Sequence, residues 1–452
     1  MTEAPDPTPE VRRPTPDIRR PRSDARGRRS ILPALLLLLV VGYVTWDQVE
    51  MRALARDIDA IAARGEPVTV VDYAPGADTP ERHDAARAYA AAAERARAMP
   101  TELTFRLPRL DVDATGGPAF DLTELETTYR ADAPALQLLD QATALDFNGF
   151  GDLTQSVPDG GLSTLSYLAG LRADLLSARG RTDAAAEALV PSARLLRTVT
   201  GMTRYLAANR LLGSLRILLR HGSPEAARLE QLQRALAELP DEDAIARDVG
   251  LRRGAFIDSL NNQRLTVGEA IAGRVLRPWI TRKQRAALAS FDEALLIARE
   301  GWPRKQVRAN GLEQDYVNAY RSRRLRFFDR LVPFERYGVL SMPSISQTGR
   351  DLAIRRVALV TLAVERYRRA HGEALPASLT ALVPQYLAAI PVDPFSGDPV
   401  IYLPTQERYL VYSVDTNMKN DRGQIYGFGS KGPAQARLRE GFDLGIAVDL
   451  RH

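Results

Sequence analysis

The chain contains no cysteine, which excludes disulfides and thiolate metal sites, so its 452 residues must be held by packing and polar contacts alone. Histidine is nearly as scarce. His83, His221, His371 and His452 are scattered without H-E-x-x-H or other ligand spacing, so a histidine zinc site is not expected. There is no G-x-S-x-G nucleophile elbow and no phosphate-loop spacing. Gly427, Gly429 and Gly432 fit G-x-G-x-x-G, but without a surrounding βαβ unit they read as a loop. The net charge of +5 is carried mostly by arginine, and no Lys/Arg cluster forms a recognisable nucleic-acid module. The basic run Arg321, Arg323, Arg324, Arg326 and Arg330 reads as a solvated helix face. No nucleic-acid partner is expected.

Long uncharged apolar runs are also missing, with one exception. Residues 31–46, ILPALLLLLVVGYVTW, carry no charge and place Tyr43 and Trp46 where interfacial aromatics belong. As a helix they span about 24 Å against a hydrocarbon core of roughly 30 Å, which puts Ser30 and Asp47 at the two interfaces. Eight arginines lie upstream, whereas Asp47 and Glu50 follow. The positive-inside rule therefore predicts a cytoplasmic N-terminus and exported C-terminal domains. A cleaved signal peptide is the rival reading. The long charged tail and the lack of a nearby small-x-small site favour an uncleaved, single-pass anchor.

The expected organisation follows from composition and punctuation. Residues 1–30 form a disordered Arg/Pro-rich cytoplasmic tail, 31–46 a transmembrane anchor, 47–79 a juxtamembrane helix and linker, 80–345 an α-helical domain, and 346–452 a C-terminal domain. Thr79 and Pro80 predict a helix start, and Ala85, Tyr89, Ala92 and Ala96 give it one apolar stripe. Ser223 before Pro224 and Glu225, and Thr281 with Gln284, predict two further N-caps, while the segment 103–120 suggests short extended pieces. Residues 173–197, ADLLSARGRTDAAAEALVPSARLLR, resemble a tetratricopeptide-type hairpin, which implies a close crossing near Ala178, Gly180 and Ala184.

The C-terminal region predicts a helix over 350–371 capped by Thr348, a tight loop at 393–397, and strands at 400–403, 409–414 and 446–450. The stretches VERYRRAHGEALPASLTALVPQYLAAIPVDPFSGDPVIY and YLVYSVDTN resemble the globular domain of type II secretion major pseudopilins. That resemblance implies a pilin-like fold of one long helix packed on a three-stranded antiparallel sheet. It also implies a calcium loop, whose ligands by position would be Asp415, Asn417, Asp421 and Asp443. The chain lacks the processing Gly–Phe pair and the early Glu of that family's apolar helix, so an uncleaved anchor replaces a pilus-building segment.

The fold class expected is α+β: one transmembrane helix, a mostly α-helical middle of helical hairpins, and a small pilin-like end. The function expected is a non-enzymatic protein of the bacterial inner membrane, with periplasmic domains that bind other envelope proteins in a secretion or pilus-like assembly. The competing expectation is a periplasmic hydrolase with its site between the helical and C-terminal parts. The lipid bilayer is the first partner in either case.

Overall fold

A computed structural model describes residues 25–73, 79–97, 122–145, 159–199, 201–239, 243–261, 267–321, 342–425 and 443–450. The N-terminal tail to residue 24, the segment 103–120, most of the basic run after Arg321, and the glycines at 427–432 lie outside them. Among the described residues the fold is α+β: eleven α-helices and one three-stranded antiparallel sheet.

Helix α1 (Ala25–Ala63) carries the apolar run and continues well past it. One stretch of it, Pro33–Ala63, is long and apolar enough to cross a membrane, and it lies near the N-terminus. α2 (Pro80–Arg97) starts as its sequence predicts: the Thr79 hydroxyl accepts the Arg82 amide at 3.3 Å, and Ala85, Tyr89, Ala92 and Ala96 are all buried. Then follow α3 (Leu122–Thr143), α4 (Asp159–Ala178), α5 (Thr182–Leu195), α6 (Gly201–His221) and α7 (Ala226–Ala237). Successive helices from α2 to α6 pack against one another, and α7 packs back on α5. The closest helix crossings lie elsewhere than Ala178, Gly180 and Ala184. A Cβ on Gly170 of α4 would come within 2.9 Å of the Ser214 hydroxyl on α6, and one on Gly161 within 2.7 Å of the Ala93 carbonyl on α2. Gly180 meets nothing within 4 Å, and its φ of +71° instead serves the turn that ends α4.

α8 (Asp243–Asn261), α9 (Val267–Ala298) and α10 (Arg304–Arg321) follow. Thr281 does not cap a helix, because α9 already runs fourteen residues upstream of it through Pro278. Its hydroxyl lies 3.6 Å from the Met51 sulfur instead. Ser223 makes no cap either. The cap position of α7 is Glu225, and the Ser223 hydroxyl instead reaches Glu365 at 3.5 Å.

α11 (Met342–Ala370) starts eight residues before the predicted onset, so Thr348 is an interior, buried residue. Pro343 sits in its first turn, where a missing N–H is harmless. Ile354, Val357, Ala358, Val360, Leu362, Ala363 and Val364 are all buried, almost all round the helix rather than along one stripe. The reason is that α11 is sandwiched: α6 and α7 cover one side, and the sheet covers the other. Strands β1 (Ile401–Pro404), β2 (Arg408–Ser413) and β3 (Leu444–Asp449) pair in sequence order, with Leu403 opposite Leu410 and Val411 opposite Ile446. One core runs from Ala85 on α2 through α11 to Val448 on β3, so no break in packing marks residue 345. A second core joins α1 to α8, α9, α10 and the start of α11 through Leu54, Ile61, Phe256, Leu288, Phe291 and Ile345.

Candidate functional site: the seam between the anchor helix and the body

Past the apolar run, α1 lies against α9. The Tyr43 hydroxyl donates to the Arg274 carbonyl, Arg277 donates to Asp47, Thr281 to Met51, Arg285 to Asp57, and Arg64 to Asp292. The sequence separations are 231, 230, 230, 228 and 228, so the two helices run parallel and in step for about six turns. Positions 43, 47, 50, 54, 57, 61 and 64 of α1 alternate spacings of four and three, the period that holds one helix stripe against one partner.

Ion pairs and apolar contacts alternate along the seam. Near the anchor, Arg277 grips both oxygens of Asp47, with Nε 2.7 Å from Oδ1. Arg285 bridges two acids, 2.7 Å to Asp57 and 3.0 Å to Glu50, and the Trp46 indole N–H reaches Glu50 at 3.4 Å. Asp47 is 3% exposed and Glu50 8%, so neither carboxylate is hydrated enough to stand without its arginine. Farther along, Leu54 and Ile61 join the second core.

Arg253 closes the far end. It is 1% exposed, and its guanidinium donates to Glu66 at 2.7 Å, Asp292 at 2.9 Å, the Pro67 carbonyl at 3.1 Å and the Tyr73 hydroxyl at 3.3 Å. One side chain on α8 thus ties down the chain leaving α1 and the last turns of α9. Burial works against ionising Glu66, but hydrogen bonds from Arg253 and Arg64 outweigh it and hold that carboxyl below the usual glutamate range. The connection 64–73 is pinned rather than loose. The Asp72 carboxylate accepts the Val68 and Thr69 amides, Asp258 accepts the Val70 amide, and the absent side chains of Gly250 and Gly254 make room for Tyr73 and Thr69.

The four positions of the proposed calcium loop are near one another but otherwise engaged. Asp415 forms a bidentate pair with Arg350, at 2.7 and 2.9 Å. The Asn417 amide donates to Asp421 at 2.8 Å and its oxygen accepts the Lys419 amide. Asp443, fully buried, accepts the backbone amides of Asp421 and Gly423 at 3.1 and 2.7 Å. Burial raises the Asp443 carboxyl above its ordinary value despite those amides. As arranged, these oxygens do not fit a calcium shell: an ion would have to displace a guanidinium and two backbone donors. Among the described residues no group of three or more His, Asp or Glu side chains is placed to hold a metal. Calcium added to the chelator-treated full chain is therefore expected to move its melting temperature by less than about 1 °C. A rise of several degrees would mean that the loop rearranges into a ligand shell.

Charged groups also line the junction of the helical hairpins with α11 and the sheet. Asp351 lies 3.1 Å from Arg204 and 3.3 Å from Arg355, Asp174 pairs with Arg210 at 2.5 Å, and Arg216 donates to the Gly445 carbonyl at 2.9 Å. Glu365 accepts Arg368 at 2.8 and 2.9 Å and the Tyr409 hydroxyl. Arg204 with Asp351 and Arg216 with the Gly445 carbonyl bridge the hairpins to α11 and β3, while both Asp351 oxygens are buried without a hydrogen-bond donor.

Comparison of the chain with family models, curated proteins and solved structures finds no match. Arg253, Arg277 and Arg285 are the side chains that a reading of the sequence misses. The four-and-three spacing of charged and apolar residues from 43 to 64 was the available signal for the seam.

Proposed function

We propose that this chain is a single-pass anchor protein of the bacterial inner membrane, with a periplasmic body that works as a non-enzymatic scaffold for other envelope proteins. What supports the reading is the seam: the apolar helix continues without a break into the body, where Asp47, Glu50 and Asp57 meet Arg277 and Arg285. A body fixed in this way presents its surfaces at a set height above a bilayer, which suits a docking platform more than a freely tethered enzyme. The pseudopilin resemblance of residues 346–452, together with the helix-on-sheet arrangement of that region, favours a secretion or pilus-like assembly as the setting.

The competing reading, a periplasmic hydrolase, would place its chemistry at the junction of α6 and α11, where Arg204, Asp351 and Arg355 meet. Crosslinking in intact cells, followed by identification of what the full chain captures, separates the two. Recovery of defined envelope proteins, lost when Asp47 and Glu50 are both replaced by lysine, is the expected result. No captured protein, together with a hydrolytic activity abolished by Asp351→Asn, would overturn the scaffold reading.

A further inference from the structure

The parallel register of the seam fixes the height of α9 relative to the anchor. With an offset of 230, Arg274 is level with Val44, Trp279 with Val49, Arg282 with Arg52 and Lys283 with Ala53. Trp46 marks the outer end of the apolar run, so Trp279 stands about 4–5 Å farther out at 1.5 Å per residue, within a headgroup layer several ångströms deep. The residues at this height are of the type that bilayer interfaces select. Arg274 and Arg282 are exposed, Trp279 is half-buried, and the Lys283 ammonium lies 5.6 Å from the Trp279 ring centroid. Val44 and Val49, the α1 residues at the same levels, are 49% and 54% exposed. The two turns before Arg274, residues 267–273, include a single charged residue, Glu269.

We infer that residues 274–283 of α9 form a second membrane contact, in which Trp279 inserts at the headgroup layer and Arg274, Arg282 and Lys283 bind anionic lipid headgroups beside the anchor. This rests on the reading of α1 as a bilayer span. The occupant is the bilayer because the surface is continuous with that span and at interfacial height, and because three cations suit an anionic lipid surface. The contact would fix the body against tilting about the anchor axis, which a single helix cannot do alone.

The test uses the full chain in nanodiscs containing phosphatidylglycerol with a nitroxide at acyl carbon 5. The chain has three tryptophans, so one variant keeps only Trp279 (W46F, W302F) and another only Trp46 (W279F, W302F). Quenching of Trp279 fluorescence by about half or more, reduced at least twofold by R274A, R282A and K283A together, is expected. Quenching of Trp46 with Trp279 unaffected would overturn the second contact and leave the anchor standing. Absence of quenching at both positions would overturn the bilayer span itself. Should the tryptophan variants misfold, a bimane label on R282C in the otherwise cysteine-free chain gives the same reading, with an unquenched label counting against the contact.

Discussion

Replacing Arg253 by alanine is expected to cost about 3 kcal/mol of stability, toward the lower end for breaking a buried ion pair because Asp292 remains partly hydrated. The loss is large because one guanidinium serves four acceptors, and its removal leaves the Pro67 carbonyl and the Tyr73 hydroxyl without this donor and Glu66 with only its longer contacts to Arg64 and Arg299. Arg253→Lys keeps the charge but not the planar fork, so it should recover only part of the loss. Urea unfolding of the detergent-solubilised chain measures both. The same site sets an acid limit. Since the folded Glu66 carboxyl titrates below its ordinary value, its contribution is complete above the usual glutamate range and disappears as pH falls through the lower folded value. The Arg253→Ala penalty should therefore shrink when unfolding is measured at pH values below that range. A penalty independent of pH would show that the pair with Glu66 is not its source.

Glu365→Ala is the second large effect, about 3–5 kcal/mol. Glu365 is 1% exposed on α11, and its loss leaves the buried Arg368 with only the half-exposed Glu373 as counterion. Tyr409→Phe removes one hydroxyl from the same cluster and should cost about 1.5–3 kcal/mol, the range for a hydrogen bond to a charged group. Burial and the adjacent Glu365 both raise the Tyr409 pKa, so the hydroxyl stays a donor well above the usual tyrosine range. A double-mutant cycle of Tyr409→Phe with Glu365→Gln checks the assignment. Strict additivity would mean that the two groups do not interact.

Local chemistry made much of this fold legible in advance. The strands expected at 400–403, 409–414 and 446–450 occur at Ile401–Pro404, Arg408–Ser413 and Leu444–Asp449, because alternating apolar residues bounded by Gly, Pro and Asp encode a hairpin within a few residues. Thr79–Pro80 is legible for the same reason. Errors arose where a local signal competed with tertiary packing. Thr281–Gln284 has the form of a capping box, yet α9 runs straight through it, since its stripe from Pro278 to Leu295 packs along the second half of α1. Ser223 has the form of a cap and is drawn toward Glu365 instead. The candidate site was the least legible part. An arginine such as Arg253 looks like any solvated cation until residues separated by 187 and 39 positions are brought to it, and nothing in its own neighbourhood announces that. The carboxylates of the proposed calcium loop illustrate the converse, since their spacing is readable but their occupation by Arg350 and by backbone amides is not.

The most direct test of a rigid junction between the apolar helix and the body is a distance distribution. Spin labels on R52C, exposed on α1, and V307C, exposed on α10, can be introduced without background because the chain has no cysteine of its own. In nanodiscs the pair should give one narrow distance by pulsed electron resonance, broadening when Asp47 and Glu50 are both replaced by lysine. A broad distribution in the unaltered chain would contradict the account, since it would mean that the body swings freely on its anchor.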